Sequence, residues 1–253
     1  METPSGSLKN LNIFKTSVWD LMQEEPNKIC TGIKGVDENY GGGISLGHIT
    51  ELIGNSGTGK TQMCLNLCLN VQIPKTAGGL EGSALFIDTR QDFNPHRLLQ
   101  LATELERQYA HKVPDFKALK MLKNVYYVRC SSEAQLMASV LSCHRHLENH
   151  KNIKLIVIDS LSFTLQMIEN KSKMFELLLE LHESMRNLQR TYKVAWVITN
   201  VLTYRVSKGQ FHLVPALGDL HSHLINERIW FSRSWQRYVG KTWDTCRLIN
   251  SPK

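Results

Sequence analysis

Short apolar runs alternate along the chain with longer segments in which apolar residues recur every three or four positions. The runs are typical of buried strands, and they lie at residues 49–53, 84–88, 125–128, 155–158 and 194–198. The segments between them have the spacing of amphipathic helices, at residues 62–71, 98–109, 136–147 and 174–188. Because the strands are apolar at almost every position, both faces of their sheet must be covered. The pattern predicts an α/β fold, with a mostly parallel sheet and helices on both faces.

The two ends of the chain depart from this alternation. Residues 1–28 are mostly polar, with one short apolar stretch at residues 18–22, and are predicted to be an N-terminal arm or linker. Residues 29–253 are predicted to form one core. Beyond residue 201 the sequence predicts a loop of about twenty residues and then a C-terminal antiparallel hairpin, formed by residues 228–231 and 245–249. No apolar run reaches the ~18 residues of a membrane span and no signal peptide is recognised, so we expect a soluble intracellular protein.

The charge of the chain is basic and unevenly distributed. Thirty Lys and Arg residues stand against 23 Asp and Glu residues, which gives a net charge of +7. From residue 201 onward there are eight basic and three acidic residues, a net charge of +5 in 53 residues. This concentration indicates an anionic partner near the C-terminal end.

The cysteines and histidines lack the spacings of metal sites. None of the six cysteines forms a Cys-x-x-Cys pair, so buried thiols in a reducing compartment are expected. His221 and His223 form an isolated His-x-His, which we interpret as the polarity of a loop. A zinc enzyme is therefore not predicted.

A glycine-rich segment follows the first predicted core strand. Residues 54–61 fit the pattern G-x-x-x-x-G-K-[ST], and they lie between a strand and a helix as a phosphate-binding loop requires. In such a loop, backbone N–H groups surround the phosphates, the lysine reaches the β- and γ-phosphates, and the hydroxyl binds Mg²⁺. The pattern predicts a site for ATP and Mg²⁺. Its predicted phosphate contacts are Gly54, Asn55, Ser56, Gly57, Thr58, Gly59, Lys60, Thr61 and Gln62.

An acidic residue suits the same site. The apolar strand at residues 155–158 ends on Asp159, where a carboxylate can hold Mg²⁺ together with Thr61. An acid at the end of a strand can also simply cap the loop that follows, so its position alone leaves both roles open. Its combination with the phosphate loop favours the magnesium role.

Further segments carry a family resemblance. They are residues 41–44 (GGGI), 47–52 (GHITEL), 71–74 (VQIP), 86–89 (FIDT), 126–130 (YYVRC) and 213–218 (LVPALG). With the phosphate loop, they make the chain resemble the RecA-type strand-exchange ATPases, in particular the eukaryotic Rad recombinases and their paralogues, over residues 29–249. The resemblance implies a RecA-like P-loop NTPase core, ATP and Mg²⁺ as cofactors, and single- or double-stranded DNA and other paralogue subunits as partners. It also implies a role in homologous recombination in the nucleus.

Two positions depart from the pattern of that family. The resemblance leads us to expect a glutamate that orients the attacking water and a glutamine that contacts the γ-phosphate, but the chain has Arg90 and Val201. Arginine cannot accept a proton at neutral pH, and valine forms no side-chain hydrogen bond. We therefore assign no catalytic residue and expect weak hydrolysis of ATP. Asp92, or a residue of a partner subunit, is the alternative source of a base.

Two functions stay open at this point. One is an ATP-binding, weakly hydrolysing subunit of a DNA-binding paralogue complex. The other is a fully active, ATP-dependent DNA strand-exchange ATPase. The resemblance implies that either function serves double-strand break repair, meiotic recombination, or both. A small-molecule kinase is disfavoured because no cluster of arginines marks a lid over the phosphates, so neither a small-molecule substrate beyond ATP nor a membrane is predicted as a partner.

Two segments are candidates for contact with DNA. In the predicted loop after residue 201, Tyr204, Arg205 and Lys208 combine aromatic and basic side chains, which suits single-stranded nucleic acid. Two charges in a surface loop are also ordinary. The resemblance implies a DNA-binding loop here and a second, less basic one at residues 166–174.

The arm offers a contact with other subunits. Its apolar side chains lie between residues 13 and 22. They can pack against another paralogue subunit, as the resemblance implies, or against the core of their own chain. The sequence leaves both arrangements open.

Overall fold

The structure is a computed structural model that describes residues 27–207, 209–232 and 245–247. Its strands are β1 (Lys28–Ile29), β2 (Ile44–Ser45), β3 (Ile49–Gly54), β4 (Ser83–Asp88), β5 (Val125–Arg129), β6 (Ile153–Asp159), β7 (Ala195–Asn200), β8 (Leu202–Ser207), β9 (Gln210–Pro215), β10 (Glu227–Ser232) and β11 (Thr245–Arg247). Its helices are α1 (Lys34–Asn39), α2 (Lys60–Asn70), α3 (Pro95–Tyr109), α4 (Ala118–Lys123), α5 (Glu133–Asn149), α6 (Leu161–Gln166), α7 (Lys171–Tyr192) and α8 (Gly218–Leu224). Within the described ranges, no helix combines the length and the apolar character that crossing a membrane requires.

A seven-stranded sheet forms the centre of the fold, in the order β11–β10–β3–β7–β6–β4–β5. Six of these strands run parallel, and β11 pairs antiparallel with β10 at the edge. The predicted α/β fold, with its mostly parallel sheet and a C-terminal antiparallel hairpin, is confirmed. Because β10 also pairs with β3, the terminal hairpin extends the main sheet and is not a separate unit.

Helices cover both faces of this sheet, as the unbroken apolar strands require. In β4, Ala84 and Phe86 pack into the core beneath α2, α3 and α4. Leu85 and Ile87 pack into the opposite core, beneath α5, α6 and α7. Successive side chains of a strand point to opposite faces, so every position of a doubly covered strand contributes about 1.5–3 kcal/mol when a large apolar side chain is buried there.

The segment after residue 201 differs from the predicted loop. β8 and β9 form a two-stranded antiparallel hairpin, with Tyr204 opposite Leu213 and Val206 opposite Phe211. Gly209 lies at its turn with a φ of +73°, a conformation that glycine adopts without strain. The prediction of a loop was wrong: apolar residues alternate along both strands but face solvent, so their pattern does not mark a buried strand. Residues 166–174, where the resemblance implies a second loop, comprise the last residue of α6, a short loop at residues 167–170 and the first turn of α7.

The N-terminal end of the described chain joins the core early. Lys28 and Ile29 pair with Ser45 and Ile44 in a small antiparallel ladder. Residues 1–26 of the predicted arm lie outside the described residues, as do residues 248 and 249 of the predicted last strand.

The carboxyl ends of the central strands meet at one edge of the sheet. Asp88 stands opposite Asp159 in the register of β4 and β6, and Ile53 stands opposite Asn200 in that of β3 and β7. Ligands of open parallel sheets bind at this edge. The loops that follow β3, β4, β6 and β7 therefore define the place to look for a functional site.

Candidate nucleotide-binding site

The glycine-rich loop connects the end of β3 to the first turn of α2. Gly59 precedes α2 with a φ of +102°, and Gly57 has a φ of +75°. A Cβ atom on Gly54 would lie 2.5 Å from the carbonyl oxygen of Phe231 and 2.8 Å from the Thr58 hydroxyl. The backbone is thus folded so tightly that these positions need glycine. The resulting concave loop presents its N–H groups at a helix N-terminus, which favours anions.

Lys60 lies at the start of α2 and folds back over this loop. Its ammonium group donates to the carbonyl oxygens of Gly54, at 2.7 Å, and Asn55, at 2.9 Å. Burial lowers the pKa of the ammonium group, Asp159 raises it and Arg90 lowers it further, with a net decrease. The positive charge of Lys60 is therefore held at the phosphate loop by its hydrogen bonds to the backbone.

Thr61, Asp159 and Thr199 form a line of hydroxyl and carboxylate oxygens beside the loop. The Thr61 hydroxyl donates to Oδ2 of Asp159 across 2.6 Å. The Thr199 hydroxyl donates to Oδ1 of the same carboxylate across 2.6 Å. The predicted pairing of Thr61 with Asp159 is thus present in the geometry. Their magnesium-binding role stays a prediction.

These residues surround a cavity of about 300 Å³ at the edge of the sheet. It is lined by Ser56, Gly57, Gly59, Lys60, Thr61, Gln62, Arg90, Asp92, Asp159, Ser160, Thr199 and Val201. The cavity fits a nucleoside triphosphate with Mg²⁺ on two observations. The loop is tightly bent, with Gly57 and Gly59 at positive φ and no space for a Cβ atom on Gly54, and the oxygens of Thr61 and Asp159 are the hard ligands that Mg²⁺ prefers.

The two positions that depart from the family pattern both reach this cavity. The Arg90 guanidinium donates from Nε to Oδ2 of Asp92 across 2.8 Å, and its Cζ lies 5.9 Å from the centre of the Phe163 ring. Val201 presents an apolar side chain at the end of β7. Asp92, the alternative base, also lines the cavity, but its carboxylate is engaged by Arg90.

Asp88 holds the loop that carries Arg90. Its carboxylate accepts hydrogen bonds from the backbone N–H groups of Arg90 (3.0 Å), Gln91 (2.7 Å) and Phe93 (3.1 Å), and from the Tyr127 hydroxyl (3.1 Å). Asp88 is only 2% exposed, so these bonds are protected from water. The Asp88 carboxylate thus binds mainly backbone N–H groups. These bonds order the start of the segment that carries Arg90 and Asp92.

The predicted DNA-contacting residues lie on the β8–β9 hairpin. Tyr204 is 73% exposed, and Arg205 forms an ion pair with Asp219 of α8 at 2.9 Å. Lys208 lies outside the described residues. The structure places Tyr204 and Arg205 on the same strand with their side chains on opposite faces. Their contact with DNA stays a prediction.

A buried polar cluster beneath the site was missed by the sequence analysis. Glu51 of β3 is fully buried and ion-paired with Arg228 of β10. Asn200 donates from Nδ2 to Oε1 of Glu51 across 2.7 Å, and Nε2 of His221 lies 3.0 Å from that oxygen. His182 and His221 are joined by a hydrogen bond of 3.0 Å between Nε2 and Nδ1. The interpretation of His221 as a polar residue of a loop was wrong, because this histidine lies on α8 and its side chain is buried.

The charges in this cluster compensate one another. Burial raises the pKa of the Glu51 carboxyl, but His221, Arg228 and Asn200 outweigh burial and hold that pKa below its ordinary value. Burial, with the charges of His221 and Arg186, lowers the pKa of His182 to about 3. A glutamate inside the apolar run at residues 49–53 was the available signal, since a buried carboxylate requires partners. The sequence did not say which residues those partners are.

Comparison with known proteins agrees with this geometry. The family model described as Rad51 matches residues 23–252. The chain is 32% identical to the DNA repair protein RAD51 homolog 3 of Cricetulus griseus, over 86% of this chain and 63% of that protein. It is 29% identical to the protein of the same name from Dictyostelium discoideum, over 96% of this chain and 66% of that protein. It is 38% identical to the DNA repair and recombination protein RadA of Aeropyrum pernix, over 77% of this chain and 60% of that protein.

The chain thus spans 60–66% of the length of these relatives. All three names concern DNA repair, and that of the Aeropyrum pernix protein also concerns recombination. The family match includes every strand of the main sheet and the whole phosphate loop. Because it runs over nearly the full chain and the fold agrees, this protein belongs to the Rad51 family.

Proposed function

We propose that this protein binds ATP with Mg²⁺ and acts as a weakly hydrolysing subunit of a DNA-binding paralogue complex in homologous recombination. Its process would be the repair of DNA damage at double-strand breaks, meiotic recombination, or both. The proposal names ATP as its small-molecule ligand and assigns no membrane partner. Membership of the Rad51 family supports the recombination role, and the cavity supports the nucleotide.

One observation carries the proposal. The groups that would bind phosphate and magnesium are complete, whereas the positions that would activate water are an arginine and a valine in the same cavity. Arg90 is positively charged and already paired with Asp92, so it cannot act as a base. Val201 has no side-chain group that could hydrogen-bond to a water molecule or to the γ-phosphate. Binding without efficient hydrolysis follows from this division.

Each residue at the cavity would have its own role in binding the nucleotide. The loop N–H groups and Lys60 would neutralise the phosphates. Thr61 would coordinate Mg²⁺, and Asp159 would bind the water shell of the ion. Thr199 would keep the Asp159 carboxylate oriented through its hydrogen bond. When bound, ATP with Mg²⁺ supplies a phosphoanhydride bond and a concentrated negative charge.

The test is nucleotide binding and turnover in the purified chain. We expect ATP to bind in the presence of Mg²⁺, with phosphate release close to background, and we expect Lys60→Ala to weaken binding. Lys34, an exposed lysine that does not line the cavity, provides the matched control as Lys34→Ala. Rapid turnover by the chain alone would contradict the proposal, and failure to bind ATP would overturn it.

The alternative function is a fully active strand-exchange ATPase. The observation that favours it is the position of Asp92, which lines the cavity and would be free to act as a base if Arg90 moved away. In that case turnover by the wild-type protein would be substantial, and Asp92→Ala would abolish it. If turnover is instead low and insensitive to Asp92→Ala, the weakly hydrolysing subunit is favoured.

Within the family, we place the chain with the C-type paralogues and, on the same motifs, near the insect Spindle-D protein. The similarity to RAD51 homolog 3 proteins supports the first placement. A nuclear location accompanies the recombination role. Recovery of the protein with another paralogue subunit from native tissue, followed by an ATPase assay of the recovered complex, would test the assembly.

The arm at residues 1–28 is proposed to join this chain to that partner. Co-purification of the full chain and of a chain that lacks residues 1–26 would measure its contribution, since Lys28 already belongs to β1. We expect the shortened chain to lose the partner. Retained binding would assign the contact to another surface.

A further inference from the structure

Arg90 stands at the nucleotide cavity as a cation, close to the lysine of the phosphate loop. It lines the same cavity as Lys60, Asp159 and Val201. The charge of Arg90 lowers the pKa of Lys60, although burial and Asp159 affect that pKa more strongly. The two cations therefore repel each other within one cavity. The cavity therefore presents a second cation beside the lysine of the phosphate loop.

The present partner of the guanidinium is a replaceable one. The Asp92 side chain is 58% exposed and that of Arg90 is 38% exposed, so their ion pair at 2.8 Å is largely solvated. Solvated ion pairs contribute little to stability, and a guanidinium binds a phosphate more tightly through two parallel hydrogen bonds. Exchange of the carboxylate for a phosphate therefore costs little.

The backbone of Arg90 is held by a buried carboxylate. The buried Asp88 carboxylate accepts from the N–H of Arg90 and from that of Gln91. The ring of Phe163, 5.9 Å from Cζ, offers the guanidinium a flat surface on which it can turn. The side chain thus starts from a defined point at the cavity wall.

We propose that Arg90 is a ligand of the terminal phosphate of a bound nucleoside triphosphate and makes the site selective for triphosphates over diphosphates. This inference rests on the proposed function, since it requires that the cavity bind ATP. It assigns to Arg90 a role that differs from the lost catalytic one. The arginine holds the triphosphate in place and does not help to cleave it, so the ATP-bound state persists.

The experiment measures the dissociation constants of the full chain for a non-hydrolysable ATP analogue and for ADP, both with Mg²⁺. We expect Arg90→Ala to weaken analogue binding by about 10- to 100-fold and to leave ADP binding nearly unchanged, since the charge-assisted hydrogen bonds to the terminal phosphate are removed. Arg90→Lys should lie between, because it keeps the charge but not the paired hydrogen bonds. Asp92→Asn should tighten analogue binding, because the carboxylate that competes with the phosphate for the guanidinium is removed.

Arg107 provides the matched control. It forms an exposed ion pair with Glu104 at 2.6 Å on α3 and does not line the cavity, so Arg107→Ala should alter neither constant. Equal loss of both ligands in Arg90→Ala, no loss of either, or tighter analogue binding would each overturn the role of Arg90. A wild-type chain that binds neither ligand would overturn the proposed function itself, and the inference with it.

Discussion

The Thr61 hydroxyl and the Asp159 carboxylate are joined by a hydrogen bond of 2.6 Å although 98 positions separate them in the sequence. One residue begins α2 and the other ends β6, so the contact exists only because β3 and β6 stand on either side of β7 in one parallel sheet. A second bond, from Thr199, fixes the other oxygen of the same carboxylate. This arrangement orients Asp159 toward the phosphate loop.

Asp159→Asn should make nucleotide binding nearly independent of Mg²⁺. The amide keeps the size of the carboxylate but not its charge, so the affinity for ATP in the presence of Mg²⁺ should fall by about tenfold or more. Calorimetric titration with Mg²⁺ and with a chelator measures this dependence. Asp115→Asn, at an exposed position outside the nucleotide cavity, is the control. A variant with undiminished Mg²⁺ dependence would show that Asp159 does not hold the metal.

Arg90→Glu combined with Val201→Gln should raise the rate of ATP hydrolysis. The two changes supply a group that can accept a proton and one that can hydrogen-bond at the cavity, and such groups typically change rates by about tenfold or more. Phosphate release at saturating ATP, with and without single-stranded DNA, measures the effect. Saturation matters because the loss of Arg90 is expected to weaken binding. No gain in the double variant, together with loss of turnover in Asp92→Ala, would favour the active-enzyme alternative.

The hairpin should contribute aromatic contacts to single-stranded DNA. Tyr204, Val206, Phe211 and Leu213 share one face of the β8–β9 ribbon, and Tyr204 and Phe211 are 73% and 75% exposed. Stacking of a base on an aromatic side chain contributes about 1–3 kcal/mol, so Tyr204→Ala and Phe211→Ala should each weaken binding by about 5- to 150-fold. Fluorescence anisotropy with a labelled oligonucleotide measures it. Leu119→Ala, at another exposed apolar side chain, should have no effect.

Arg205 and Lys208 should control the salt dependence of DNA binding. Arg205→Ala with Lys208→Ala should flatten the slope of log affinity against log salt by about one for each phosphate that no longer has a basic partner. Because Arg205 is paired with Asp219, Asp219→Asn should free the guanidinium and strengthen binding at low salt. A slope that neither change alters would indicate that these residues are merely solvated.

The stability of the fold should fall as the pH is lowered from about 6.5 toward 5. The pKa of His182 is about 3 in the folded chain against an ordinary value of 6.5, so over this interval the unfolded chain binds more protons. The contribution is therefore complete above pH 6.5 and is lost as the pH falls, with a slope of at most about 1.4 kcal/mol per pH unit. His182→Gln should reduce that slope in urea unfolding, and His144→Gln, at an exposed position, should not. Parallel curves for the wild type and His182→Gln would contradict the prediction.

Long periodic segments were predicted well because their pattern has one physical solution. The apolar run at residues 155–158 lies inside β6, and the amphipathic pattern at residues 174–188 lies inside α7. By contrast, α4 and α6 span six residues each, which is less than two turns and too short for helical periodicity to be recognised. The β8–β9 hairpin was not predicted for another reason: its apolar residues face solvent and so do not mark a core.

The phosphate loop was readable because its residues are contiguous and each type has a local task. Glycines permit the backbone angles, and Lys60 and Thr61 follow at once with the groups that phosphate and metal require. The buried cluster is the opposite case. Its members come from β3, α7, β7, α8 and β10, and a pairing such as Glu51 with His221 has no local signature.

The amino-acid sequence alone predicts the sheet-and-helix alternation, the phosphate loop and the two departures at Arg90 and Val201. Each of these is encoded by neighbouring residues or by a regular period. Three pairings are visible only in the folded chain: Arg90 with Asp92 at the cavity, Arg205 with Asp219, and Glu51 with its partners beneath the site. The reason is physical: charged side chains select partners by distance and burial, and both are set by how distant strands and helices pack together.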